Sequence, residues 1–73
     1  SFILAKLRTR LTFDSKILSV NYTLDVVNGT VYVLGIAQDP AELRRVVAYA
    51  KDLAYVRNVV THVRMKDDPR RKA

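Results

Sequence analysis

The sequence has no cysteine and no tryptophan, and its 73 residues include only two glycines, two prolines and a single histidine. The lack of cysteine excludes disulfide bonds, thiolate metal sites and a cysteine nucleophile. The lone histidine, His62, has no second ligand near it at metal-binding spacing. No apolar run approaches the roughly 18 residues that a membrane-spanning helix needs. We therefore expect neither a metal nor any other cofactor.

A catalytic constellation is also missing. The serines have no triad context around them: Ser1, Ser15 and Ser19. Asp67 and Asp68 precede Pro69 in a polar tail, whereas general acid–base chemistry needs positioned carboxylates with perturbed pKa values. Gly29 and Gly35 do not form a loop that could cradle phosphate. These absences predict a protein that is not an enzyme.

Basic residues outnumber acidic ones by thirteen to seven, which gives a net charge of +6. Such a surface favours phosphate-bearing partners, either lipid headgroups or nucleic acid, although solubility alone explains it equally well. Nucleic acid is not expected as a partner, since no stacking platform or recognition-helix pattern accompanies the charge. The length suits one domain. Because the chain starts at Ser1 inside a helical pattern, we expect a domain cut from a longer protein.

A helix is predicted over residues 2–13, where Ile3, Leu4, Leu7 and Leu11 share one stripe. Its other face is aromatic and basic, and it carries Phe2, Lys6, Thr9, Arg10 and Phe13. Cations beside exposed rings suit an anionic membrane surface. The alternative is that Phe13 packs into the core and Phe2 covers a neighbouring domain.

Asp14 and Ser15, which follow this helix, are turn formers. A β-hairpin is predicted next along the chain. Residues 21–27 alternate in the manner of a strand, and Thr30 to Ala37 forms the returning strand. Asn28-Gly29 between them suits a two-residue type I′ turn, because both central positions need positive φ.

A second helix is predicted to begin at Asp39, whose side chain can cap free backbone N–H groups. Pro40 suits the first helical position, and Glu42 is placed to make the reciprocal capping bond. The predicted buried stripe comprises Leu43, Val46, Val47, Ala50, Leu53 and Ala54. Residues 56–65 then predict a third strand, and residues 66–73 a basic, flexible C-terminal tail.

The fold class is therefore α+β, in the order α-β-β-α-β, with two helices packed on one face of a three-stranded mixed sheet. Residues 1–65 form a single domain. A right-handed crossover through the second helix can place the third strand parallel to the second or to the first. Sequence alone leaves both arrangements open.

The sheet face away from the helices should alternate with polar residues if water covers it. It is predicted instead to carry Tyr32, Leu34, Ile36, Val60 and His62. An apolar patch of this kind on a small domain is typical of an interface, and a modest exposed patch or a local register error is the alternative. His62 is interpreted as a strand residue at the solvent edge.

Three passages resemble the BON domain, a family named for bacterial osmotic-shock and nodulation proteins. "NGTVYVLGIA" is similar to the family's Asn/Asp-Gly-x-Val-x-Leu-x-Gly pattern, with Val31, Val33 and Gly35 at its apolar and glycine positions. "AELRRVVAYAKDL" resembles its Ala-rich helix, and "YVRNVVTHVRM" its closing strand. Two positions depart from the pattern: Tyr55 stands where the family often has Gly, and Thr61 where it has Asn. The first departure predicts an altered corner between the helix and the last strand.

The chain looks most like the second BON domain of a tandem-BON envelope lipoprotein. The resemblance implies a periplasmic, outer-membrane-associated module that binds anionic phospholipid and supports envelope integrity. The expected lipid-binding residues are Phe2, Lys6, Arg10 and Phe13. The alternative is a structural interaction module that docks a second BON domain or a self-copy through the apolar sheet face.

Overall fold

The computed structural model describes residues 1–67 and confirms the α+β class and the predicted order of elements. The elements are α1 (Phe2–Phe13), a 3-10 turn (Ser19–Asn21), β1 (Tyr22–Val27), β2 (Thr30–Ala37), α2 (Pro40–Asp52) and β3 (Asn58–Met65). The predicted starts of β1 and β3 were early by one and two residues, since Asn21 belongs to the 3-10 turn and Val56 to the corner after α2. The predicted flexible tail falls mostly on residues 68–73, which lie outside the described residues.

The three strands form one sheet in the order β1-β2-β3, with β2 in the centre. β2 is antiparallel to β1 and parallel to β3. This decides between the two arrangements that the sequence left open. The crossover through α2 therefore returns the chain to the edge of the hairpin that β2 forms, where β3 pairs with it.

The hairpin turn is confirmed by its backbone angles. Asn28 has φ 50° and Gly29 has φ 80°, so both central residues occupy the left-handed region that a type I′ turn requires. The carbonyl of Gly29 accepts the backbone N–H of Arg57 at 2.7 Å. The turn is thereby attached to the segment that leads into β3.

Both helices cover the same sheet face, and the core lies between them and the strands. Its fully buried large side chains are Leu7, Leu11, Val31, Val33 and Val46. The predicted stripe of α2 is buried at Val46, Ala50 and Leu53, but Leu43 and Val47 are only half-buried. Ala54 is exposed, because α2 ends at Asp52 and Ala54 lies in the turn that leads to β3.

The start of α2 is capped in a different way from the one predicted for Glu42. Asp39 accepts the backbone N–H of Glu42 at 2.8 Å, and Pro40 lies in the first turn, as predicted. The prediction that Glu42 makes the reciprocal bond to Asp39 was wrong. Its carboxylate instead accepts hydrogen bonds from Leu18, Tyr22 and Gln38. Two partners that are distant in sequence, Leu18 and Tyr22, together with the nearby Gln38 thus outcompete the reciprocal cap.

Candidate functional site

The aromatic-basic face of α1, defined as Phe2, Lys6, Arg10 and Phe13, lies on the surface of the domain. Phe2 is 76% exposed and Phe13 is 84% exposed, so the alternative that Phe13 packs into the core was wrong. The ammonium of Lys6 lies 5.4 Å from the centroid of the Phe2 ring. A cation over an aromatic face at this distance is attracted to the ring quadrupole. The helix therefore presents two exposed rings with a cation between them.

The two cations of this face differ in their surroundings. Arg10 donates from Nη1 to Asp52 Oδ2 at 3.0 Å, which joins α1 to the end of α2. Lys6 makes no ion pair with any residue among 1–67. An exposed ion pair contributes only about 0–1 kcal/mol, so Arg10 can exchange Asp52 for another anion at little cost. Lys6 is the cation that is more available to a ligand.

The outer sheet face, defined as Tyr32, Leu34, Ile36, Val60 and His62, points away from both helices. Strand register sets Tyr32 beside Val60 and Leu34 beside His62. Leu34 is 40% exposed, and no helix among residues 1–67 covers this side. The structure therefore places these five residues on one surface, which two adjacent strands share.

Asp14, which the sequence pattern indicated only as a turn former, is a buried carboxylate that joins α1 to α2. Its Oδ2 accepts from Tyr49 Oη at 2.6 Å and from Arg45 Nη2 at 2.5 Å, and its Oδ1 accepts from the Lys16 N–H at 2.8 Å. Hydrogen bonds from Tyr49, Lys16 and Arg45 lower the pKa of Asp14 to about 2. The spacing of Arg45 and Tyr49, four residues apart on one helical face, was the only sequence signal for this contact.

Glu42 is the second buried carboxylate that sequence reasoning missed. Burial opposes its ionisation, but hydrogen bonds from Gln38, Tyr22 and the Leu18 N–H outweigh that effect and hold the pKa of Glu42 below its ordinary value. Burial and the neighbouring Glu42 raise the pKa of the Tyr22 phenol. The oxygens of both carboxylates accept hydrogen bonds from donors of the fold itself, so Asp14 and Glu42 join elements of the domain to one another.

Within residues 1–67, no group of acidic or histidine side chains is arranged to hold a metal ion. None of the helices there is long and apolar enough to cross a membrane. What the surface offers is one aromatic-basic helix and one apolar sheet face. The described residues therefore form a small α+β domain with two exposed surfaces of different chemistry.

The family is shown by direct comparison. The family model "BON domain" matches residues 3–67, and this chain belongs to the BON domain family. One relative is the "Uncharacterized protein in gshII 5'region" of Anaplasma centrale, which is 38% identical over 72 residues. That match covers 99% of this chain and 48% of the relative, so the chain spans about half the length of the curated relative that it matches.

A solved structure supports the fold. CdsD, a structural protein of the type III secretion system of Chlamydia trachomatis, matches with a TM-score of 0.73 and 23% identity, over 88% of this chain and 30% of that one. At this identity the likeness establishes the fold alone. The BON family is linked to phospholipid binding and to protein interaction.

Proposed function

We propose that this domain is a non-enzymatic binding module of the bacterial cell envelope, which contacts anionic phospholipid through the aromatic-basic face and supports outer-membrane integrity. The observation that carries the proposal is the exposure of Phe2 and Phe13 on one helical face with Lys6 between them. At about 1.5 Å of rise per residue, the two rings lie roughly 16 Å apart along α1. A helix lying flat on a membrane would bring both rings to the headgroup boundary together.

The chemistry of this face predicts weak binding by a single domain. A cation near an anionic membrane surface contributes about 1 kcal/mol, and the face has only two. Linking two such modules in one chain converts the second contact into an intramolecular event and raises the overall affinity. The relative from Anaplasma centrale is about twice as long as the matched segment, which leaves room for a second domain of this size. This length supports the tandem arrangement. A periplasmic lipoprotein as the parent protein is part of the proposal and follows from the family resemblance alone.

Changing the centre and one end of the aromatic-basic face should remove lipid binding. For the double variant Lys6→Glu with Phe13→Ser, we expect the affinity for phosphatidylglycerol vesicles to fall by about two orders of magnitude, because a cation is reversed and a ring that would insert at the headgroup boundary is lost. Vesicle co-sedimentation measures this. Thermal stability should change little, since both side chains are exposed.

The matched control places the same kinds of change elsewhere. Arg44→Glu on α2 combined with Val20→Ser also reverses one cation and removes one exposed apolar side chain. This control should keep most of the binding. Equal losses of vesicle affinity in the two double variants would show that lipid binding depends only on net charge. The aromatic-basic face would then not be the binding site.

A second candidate function is protein interaction through the outer sheet face, with a second BON domain or a self-copy as the partner. The observation in its favour is the apolar surface that Tyr32, Leu34 and Val60 share across two strands, where a solvated sheet would carry polar residues. Contacts at such a face come from side chains of the sheet and leave α1 free. The two functions can therefore coexist on opposite sides of the domain.

If the outer sheet face binds a self-copy, Leu34→Ser combined with Ile36→Ser should turn a concentration-dependent dimer into a monomer, because the apolar area at its centre is lost. Sedimentation velocity measures this. The control pair Leu18→Ser with Val20→Ser removes exposed apolar side chains outside the sheet and should leave association unchanged. A wild-type chain that stays monomeric at every concentration would contradict self-association.

A further inference from the structure

The corner between α2 and β3 holds an exposed aromatic residue in an unfavourable backbone conformation. Tyr55 has φ 70° and is 84% exposed. Left-handed φ costs free energy for residues with a Cβ, and glycine avoids that cost. Nothing in the packing compensates for this choice, since the ring projects into solvent. A strained residue whose side chain adds nothing to the core points to a role outside the fold.

The surroundings of Tyr55 combine apolar and basic groups. A shallow groove at this end of the domain is lined by Ile3, Asn28, Gly29, Tyr55, Val56 and Arg57. A neighbouring groove adds Lys51, which is exposed like Arg57. None of the residues that line these two grooves is acidic. The local charge is therefore complementary to an anionic surface.

The corner between α2 and β3 lies beside the N-terminal end of α1, where the aromatic-basic face begins. Ile3 lines the groove, and Phe2 precedes it at the start of α1. The groove thus adjoins the end of the aromatic-basic face that carries Phe2 and Lys6. Phe13 lies at the opposite end of the helix.

We propose that Tyr55 is a second membrane anchor, which inserts its ring into the headgroup region of an anionic phospholipid bilayer while Lys51 and Arg57 contact the phosphates. The inference rests on the proposed lipid-binding function and adds a site that α1 does not contain. A tyrosine suits the membrane interface, because its ring is apolar and its hydroxyl stays hydrated. Two anchors on different elements fix the orientation of the domain on the membrane, which one helix alone does not.

The absence of tryptophan from the chain permits a direct test. In the variant Tyr55→Trp, the single indole reports its own surroundings. With vesicles of equal parts phosphatidylglycerol and phosphatidylcholine, its emission should shift to shorter wavelength and be quenched by lipids labelled near the headgroup. With pure phosphatidylcholine it should not change. An emission that stays that of a solvated indole on vesicles that bind the protein would overturn the proposal.

A pair of glycine substitutions separates the ring of Tyr55 from a general loss of exposed apolar surface. Tyr55→Gly should raise the melting temperature by relieving the strain, and should raise the lipid concentration needed for half-maximal binding about tenfold. Val20→Gly removes an exposed apolar side chain from the 3-10 turn, outside both grooves. It should leave lipid binding nearly unchanged. Equal losses of lipid binding in the two variants, or no effect of Tyr55→Gly on binding, would overturn the role of the ring.

The outcomes distinguish this inference from the proposed function. If the wild-type chain binds neither vesicle, both fail. If Lys6→Glu with Phe13→Ser abolishes binding while Tyr55→Gly does not affect it, only the second anchor fails. A blue shift of the Tyr55→Trp variant that grows with protein concentration in the absence of vesicles would assign the corner to a protein contact and overturn the membrane role.

Discussion

The variant Gly35→Ala is expected to be the most strongly destabilised of the variants proposed for this domain. A Cβ on residue 35 would lie 2.0 Å from the backbone oxygen of Asn21, and Gly35 has φ 141°. The clash is with backbone, at the point where the chain leaves the 3-10 turn and enters β1, so no side-chain rotation relieves it. We expect a loss of more than about 4 kcal/mol in the free energy of unfolding. Losses of this size are exceptional for single substitutions and come from specific faults such as a steric clash or backbone strain.

A loss of that size is a large part of the total stability of a domain of this length. At 0.05–0.15 kcal/mol per residue, the whole domain has roughly 4–11 kcal/mol of stability. Circular dichroism during urea titration measures the difference. Gly29→Ala is the matched control: φ is 80° there and the new Cβ would meet Tyr55 O at 3.1 Å, so we expect a loss of only about 1–2 kcal/mol. Similar losses in the two variants would contradict the steric explanation.

Glu42→Ala should be the second most damaging change, with a loss of about 3 kcal/mol or more. The carboxylate accepts from Leu18 N at 3.1 Å, from Gln38 N at 3.2 Å and Gln38 Nε2 at 2.6 Å, and from the Tyr22 hydroxyl. Removing it leaves several donors in a poorly solvated site with no acceptor. Such orphaned groups cost more than the hydrogen bonds themselves contribute. Urea denaturation at neutral pH gives the loss.

The sign of the pH dependence provides an additional check on Glu42. Because its folded pKa lies below the unfolded value, its contribution is present above the unfolded pKa and lost as the pH falls through the folded one. The deficit of Glu42→Ala should therefore shrink in acid. Asp52→Ala removes a mostly exposed acid from the same helix and should change stability by less than about 1 kcal/mol. A deficit that is the same at every pH would indicate that packing, and not charge, explains the loss.

Local patterns predicted the fold of this chain well wherever neighbours in sequence decide the structure. Asn28-Gly29 produced its turn, Asp39 capped α2, and the apolar stripe of α1 faced the core. Strand order was beyond sequence reasoning, because both crossovers satisfy the same local rules. In the structure α1 packs on β1, and α2 packs on β2 and β3.

The failures concern polar residues whose partners are distant in sequence. Asp14 and Glu42 both had adequate local roles, as a turn former and as a capping residue. Their actual partners lie 31 residues away at Arg45 and 24 residues away at Leu18. Burial turned these ordinary carboxylates into the groups that fasten the helices to the rest of the fold.

The order of the strands has a thermodynamic consequence for whatever binds the outer sheet face. Tyr32 and Leu34 come from the hairpin, whereas Val60 and His62 come from β3, which reaches its place only through α2. A partner that contacts both strands binds the docked arrangement and not one with β3 detached. Its binding free energy is then linked to the docking of α2 and β3, so occupancy of this face stabilises the opposite, helical layer of the domain.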